Sequence, residues 1–277
     1  MFLHTLAPTL PDWIWQPSIL IGLALLTLAY GWLVGPASRN HASGEQVAAL
    51  RQLAFHSGTL LVLLALVSPL DGVADEDLFS AHMLQHMLLT FVAPPLWLLG
   101  MPAWPFQWLA HRRQIGAFLR RLLQPATAFL IFNGVMWAWH LPAAYDAALE
   151  NEGLHILEHL AFMGAALIGW WPVIGPSLPG MNRLPDLGRS LYLFLSGLAC
   201  TGLAALITLA PRPLYPFYGQ RPQLWGLSPL RDQQLGGLLM WLPADLILMV
   251  FNLVILYGWL SQPPQKAELA SWQPKER

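Results

Sequence analysis

Long apolar runs alternate with short polar stretches along nearly the whole chain. Seven runs of roughly 20 residues stand out, at about 16–34, 48–68, 80–100, 124–140, 153–173, 189–210 and 235–259. Each is long enough to cross the ~30 Å hydrocarbon core of a bilayer as a helix. Each is bounded by Pro, Gly or charge, as helix ends should be. Alternation with period two is absent, which argues against a transmembrane barrel. The pattern predicts an all-α polytopic membrane protein, a bundle of seven transmembrane helices forming one domain over residues 1–277. One connection, 211–234, is long for a helix–helix loop, and such loops are often lids or binding loops.

Composition agrees with this. Of 277 residues, 56% are apolar and only 10% are charged, against about 25% charged in a soluble domain. One cysteine, Cys200, excludes a disulfide framework, a CxxC redox motif and a thiolate-rich metal site. A net charge of −1 gives no electrostatic case for nucleic acid. The N-terminus lacks a basic region and a small-residue cleavage site, so no signal peptide is expected.

The placement of the basic residues predicts an orientation. With seven spans, Arg39, Arg51, Arg112, Arg113, Arg120, Arg121, Arg183, Arg189, Lys266, Lys275 and Arg277 share one side. The other side has Arg212, Arg221 and Arg231, all within the long loop. Loops 69–79 and 141–152 are acidic, with Asp71, Asp75, Glu76, Asp77, Asp146, Glu150 and Glu152. The positive-inside rule then predicts the N-terminus outside and the C-terminus in the cytoplasm. Trp13, Trp15, Trp137 and Trp139 would form the outer interfacial belt, and Trp104, Trp108, Trp170, Trp171 and Trp259 the inner one.

With that topology the histidines converge. His82 and His86 open span three, His155 and His159 open span five, and His140 closes span four, all at the outer edge. Each pair is spaced i, i+4 and so lies on one helix face. Two HxxxH pairs facing across a bundle can enclose a metal ion, and imidazole suits copper, zinc, iron or nickel. Met83 and Met87 form a second i, i+4 pair on the adjacent stripe, and Met163 follows His159 at i+4. Thioethers select Cu(I) among these ions; plain packing would also use such a methionine stripe. Glu158 lies off the histidine stripe and is a candidate to orient an imidazole. Glu152 with His155 makes a single ExxH, where a di-iron bundle needs two and further carboxylates. His4, His41 and His111 read as capping residues. His56 in span two and Asp245 in span seven read as buried polar groups, either a satisfied pair or a proton or ion relay. The small residues around Cys200 in span six read as a close-packing seam. Pro94-Pro95 should kink span three and free carbonyls that need partners inside the bundle.

Four segments in order resemble the polytopic CtaG family of caa-type cytochrome c oxidase assembly factors. They are His82-Met83-Leu84-Gln85-His86-Met87 with Pro94-Pro95 and Gly100-Met101-Pro102; Trp139-His140-Leu141-Pro142 with Tyr145; His155 with Glu158-His159 leading to Trp170-Trp171-Pro172; and Asp232-Gln233-Gln234-Leu235-Gly236-Gly237 with Met240-Trp241. The resemblance runs from about residue 56 to 259. It implies a non-enzymatic role in making a haem–copper oxidase in the bacterial inner membrane, holding Cu(I) and delivering it to the CuB site of the catalytic subunit. A periplasmic copper donor and membrane lipid would be its other partners. It also adds Asp232, Gln233 and Met240 to the outer site, with the 211–231 loop as a cover. Two other classes stay open: a b-haem redox protein with opposed histidines as axial ligands, and a copper transporter with ligands along a path.

Overall fold

The computed structural model describes residues 11–36, 46–221 and 224–261. Arg39, Lys266, Lys275, Arg277, His4 and His41 lie outside the described residues. Among the described residues the fold is helical, with no strand. The long helices are α1 (Pro17–Val34), α2 (Ala49–Val67), α8 (Pro125–Trp139), α10 (Glu152–Ile174), α11 (Asp186–Thr208) and α13 (Pro229–Leu260). Span three is α4 (Phe79–Met87), a π-helical turn (Leu88–Val92) and α5 (Ala93–Gly100). The connections hold short helices: α3 (Pro69–Glu76), α6 (Trp104–Ala110), α7 (Arg113–Leu122), α9 (Pro142–Glu150) and α12 (Pro216–Gly219).

Six of these segments are singly long and apolar enough to cross a membrane, and a seventh is added when α7 and α8, bent by 63°, count as one span. The bend has a sequence cause. Pro125 starts α8 after Leu123-Gln124, and α7 carries Arg113, Arg120 and Arg121 on one side with exposed Ile115 and Phe118 on the other. That is the pattern of an interfacial helix. α8, 15 residues long, then carries the chain back toward the histidine end.

The break in span three follows from Pro94 and Pro95. A proline ring displaces the carbonyl one turn earlier and removes a donor, and the chain relaxes into a π turn in which Ala93 N–H bonds Leu88 O. The freed carbonyl of Thr90 accepts from Trp170 Nε1 at 3.1 Å. Trp170 thus lies in the core, as do Trp171 (against Phe106) and Trp104. The inner belt expected of these three is corrected: Trp108 and Trp259 are exposed, and the other three are packing residues.

Two further expectations change. His56 is exposed on α2, edge-on to Tyr30 and Phe55, while Asp245 on α13 accepts from Thr201 of α11 at 2.8 Å; they do not form a buried pair. The 211–234 connection is shorter than expected, because α13 begins at Pro229 and carries Asp232 and Gln233 in its first turns. The small-residue seam is present. Gly237 lies against Thr208, Gly197 against Leu248 and Asp245, and buried Cys200 against the Met240 carbonyl.

Candidate metal centre

α4 and α10 both start at the same end of the bundle, and α8 finishes there, so the three helices deliver His82, His86, His155, His159 and His140 to one place. The rings of His82 and His86 are 4.2 Å apart between centroids, His155 and His159 4.3 Å, His82 and His155 5.2 Å, and His86 and His159 5.4 Å. His140 stands 6.0 Å from His86. His82, His86, His140 and His159 are buried, and His155 is nearly so. Glu158 is fully buried among them, its Oε1 3.9 Å from His86 Nε2. Two three-residue groups can each bring ligand atoms within 4.8 Å of one another: His82, His155 and His159, and His82, His86 and Glu158. His82 belongs to both.

Hydrogen bonds set the tautomers. His140 Nδ1 lies 2.6 Å from the Met136 carbonyl. A carbonyl only accepts, so Nδ1 holds the proton and Nε2 presents its lone pair. Tyr218 donates its single hydroxyl proton to the Ala74 carbonyl at 2.7 Å. His82 Nδ1, 3.2 Å from the Tyr218 hydroxyl oxygen, therefore donates to that hydroxyl, which again leaves Nε2 as the acceptor. His86 Nε2, 2.7 Å from His82 Nε2, must then be the donor in that contact. An ion taking both Nε2 atoms requires the His86 proton to move to Nδ1, a buried atom with no partner among the described residues. His140 Nε2, His155 Nε2, His159 Nε2 and both Glu158 oxygens are also buried and unpartnered. Buried polar groups are nearly always satisfied, so this concentration of unpartnered atoms sets the cluster apart from the rest of the bundle.

The surrounding residues hold the helices in place. Asp232 of α13 accepts from Phe79 N at 2.7 Å, Ser80 N at 3.1 Å and Ser80 Oγ at 2.5 Å. It caps α4 from another helix, satisfying free N–H groups of the first turn. Gln233 fastens the long connection, accepting from Leu214 N at 2.5 Å and donating to the Ile207 carbonyl at 3.0 Å. Neither side chain reaches the imidazoles by these bonds; both position the site. Met83, Met87 and Met240 lie in the apolar core, with Met83 packed at Gly236. Met163 lies beside His159 in the lining of a cleft.

Several site residues went unassigned in the sequence reading. Asp75 of α3 lies 3.6 Å from His155 Nδ1 and orients that ring. Burial, then the Asp71 and Glu76 charges, push its carboxyl up to about 8. Asp71 is pushed up to about 6 by burial, with an opposing hydrogen bond from Gln85 at 2.7 Å. Tyr145, Tyr215 and Tyr218 roof the cluster. Tyr145 lies 5.2 Å from the His82 ring and meets Tyr215 at 4.5 Å with the two rings tilted by 48°, and Tyr215 donates to the His140 carbonyl at 3.0 Å. The acidic loop at the histidine edge was the available signal for Asp75. Tyr145 stands in one of the segments that resemble the CtaG family, while Tyr215 and Tyr218 had no signal beyond the length of their loop.

The two ends of the bundle differ in charge. The acids of α3 and α9 surround the histidine end, and Arg112, Arg113, Arg120, Arg121, Arg183 and Arg189 cluster at the other.

Comparison with known proteins places this site in context. The profile of the cytochrome c oxidase caa3 assembly factor family (Caa3_CtaG) matches residues 28–262. Uncharacterized proteins of Mycobacterium leprae and Mycobacterium bovis are 26% and 27% identical over 271 residues, covering 90% of this chain. The chain spans about 40% of the length of these curated relatives. No solved structure matches.

Proposed function

The chain belongs to the cytochrome c oxidase caa3 assembly factor family, and from that membership we propose that it holds copper, as Cu(I), and delivers it to the CuB site of the oxidase's catalytic subunit. The observation that carries this reading is the set of buried imidazole nitrogens with free lone pairs, brought together from three helices beside Glu158. His82, His86, His155 and His159 are the proposed ligands, with His140 as a fifth. Glu158 and Asp75 orient rings or take up protons. Met83, Met87 and Met240 serve packing in this reading, and Asp245 lies in the α11–α13 seam.

Copper is cargo here, so the site must bind and also release. Nitrogen donors without thiolate suit that, because thiolates are the softer, tighter partners of Cu(I). The charge difference between the two ends supports an outward-facing site in a bacterial inner membrane, where a periplasmic donor could load it. The role needs no catalysis by the chain. A haem is less well supported. Phe162 is packed against the His86 ring and Tyr145 against the His82 ring, so side chains already occupy the space beside these imidazoles. A transport path is also less well supported, since the ligands cluster at one end.

The test is His86→Ala in cells that assemble the oxidase. The catalytic subunit should be inserted at normal levels but contain several-fold less copper. Normal oxidase copper and activity in that variant would sink the proposal.

A further inference from the structure

α1 and α10 stand on either side of a cleft of about 800 Å³ at membrane depth. Its walls run from Gln16 to Leu26 on α1 and from Glu152 to Leu167 on α10, about 15 and 22 Å of helix at 1.5 Å per residue. Val62, Leu66 and Trp97 form the floor. The walls are mostly leucine and isoleucine, with Met163, Ser18 and two glycines, Gly22 and Gly164; a Cβ built on either glycine meets nothing within 4 Å. At its polar end lie His155, His159, Asp71 and Asp75.

Among the described residues, most of the cluster is shut off from solvent. Tyr145, Tyr215 and Tyr218 cover it, and His82, His86 and Glu158 are buried behind them. His155 and Asp75, the two members with appreciable exposure, both line the cleft. So does His159, which is only 8% exposed and has a buried, unpartnered Nε2. His82 is shared between the inner group with His86 and Glu158 and the group that borders the cleft.

We infer that the cleft between α1 and α10 is the docking site for a transmembrane helix of the copper acceptor, carrying a His or Met into contact with the ion at His155 and His159. This rests on the copper-holding role proposed above. Three observations favour a helix over a lipid tail. Transfer between ligand sets needs a nitrogen or sulfur donor on the incoming partner, and an acyl chain has none. The cleft's volume is that of about two turns of helix taken as a cylinder ~10 Å across. Glycines on facing walls with open space above them are what membrane helices use to approach closely. In this arrangement the ion passes from the inner group through His82 to the outer group, and leaves sideways within the membrane.

The experiment places a benzophenone amino acid at Gly164 in the full chain, co-expressed with the oxidase, and at Leu157 as a control. Leu157 is exposed on the same helix but does not line the cleft. The expected adduct joins position 164 to a membrane segment of the oxidase catalytic subunit, at five times or more the yield from position 157. Gly22→Phe on the opposite wall should lower that yield at least fivefold while copper bound to the purified chain stays at the wild-type level. Adducts with phospholipid alone, or equal yields from the two positions, overturn the proposal. Copper content of the purified unmodified chain is measured separately: its absence defeats the copper-holding reading, whereas a phospholipid adduct on a copper-loaded chain defeats only the docking site.

Discussion

The contact between α11 and α13 and the contact between α4 and α10 both bury polar side chains among apolar helices, and they treat them oppositely. Along α11 and α13, Thr201 donates to Asp245, Ser190 and Asn252 bond each other, and Gln233 bonds Leu214 N and the Ile207 carbonyl. Ser196 Oγ and Arg189 Nε of α11 are the exceptions there. Between α4 and α10 the pattern reverses: His86 Nδ1, His155 Nε2, His159 Nε2 and both Glu158 oxygens lack partners. The first contact is what a membrane bundle needs for stability, since polar groups out of water must be satisfied internally. The second is locally destabilising, because an unmade bond to a buried polar atom costs about 1–3 kcal/mol. A fold keeps such a cost where a ligand supplies the missing partners. Polar burial alone therefore does not mark the site. What distinguishes the α4–α10 contact is that its unpartnered polar atoms are clustered.

The sharpest way to break this comparison is at His82. It is the shared member of both three-residue groups, so His82→Ala should lower Cu(I) affinity by about 100-fold, roughly 2.7 kcal/mol at 1.4 kcal/mol per factor of ten. His86→Ala leaves the group of His82, His155 and His159 intact and should cost about tenfold. Competition titration with a Cu(I) chelator measures both. Equal losses would show that the two groups do not act as distinct positions.

Asp232 joins the two regions, because it sits on α13 and caps α4. Asp232→Ala removes the partners of two backbone N–H groups at the start of the histidine helix. The expected loss of stability is about 1–2 kcal/mol, the range for a lost N-cap, read as a lower Tm in detergent. Copper affinity should fall with it, because His82 and His86 lie in the first two turns of α4. Asp232→Asn, which still accepts hydrogen bonds, should restore most of both. A variant that loses stability at full copper affinity would detach the cap from the site.

The helices were legible because lipid imposes one strong periodicity and one length, and the span limits read from hydropathy differ from the observed helices by at most three residues except at the start of α13. There Pro229 and the Ser228 cap extend the helix upstream through Arg231, Asp232 and Gln233, polar residues that hydropathy assigns to a loop. The convergence of five histidines was legible because topology alone puts three helix ends at one depth. What Asp232 and Gln233 do was not, since it depends on partners about 150 and 20 residues away. The i, i+4 spacing says that Met83 and Met87 share a face, but not which neighbour that face meets; Met83 is packed at Gly236 of α13. The inner tryptophan belt failed because the Pro94-Pro95 break frees the Thr90 carbonyl inside the bundle and draws Trp170 to it.

The smallest expected effects test the comparison by sign. Thr201→Val keeps the volume and removes a partnered hydroxyl, leaving Asp245 without its donor; about 0.6 kcal/mol of stability should be lost, the average for such a bond between membrane helices. His159→Leu removes a buried nitrogen that has no partner and adds apolar contact beside Met163 and Leu160. In the metal-free chain it should be neutral or stabilising by a similar amount, as is common where function holds a site away from its stability optimum. Reversible unfolding in mixed micelles, with copper removed by chelator, resolves the two signs. A loss at position 159 comparable to that at 201 would mean that the imidazole is an ordinary packing residue, and the contrast between the two contacts would collapse.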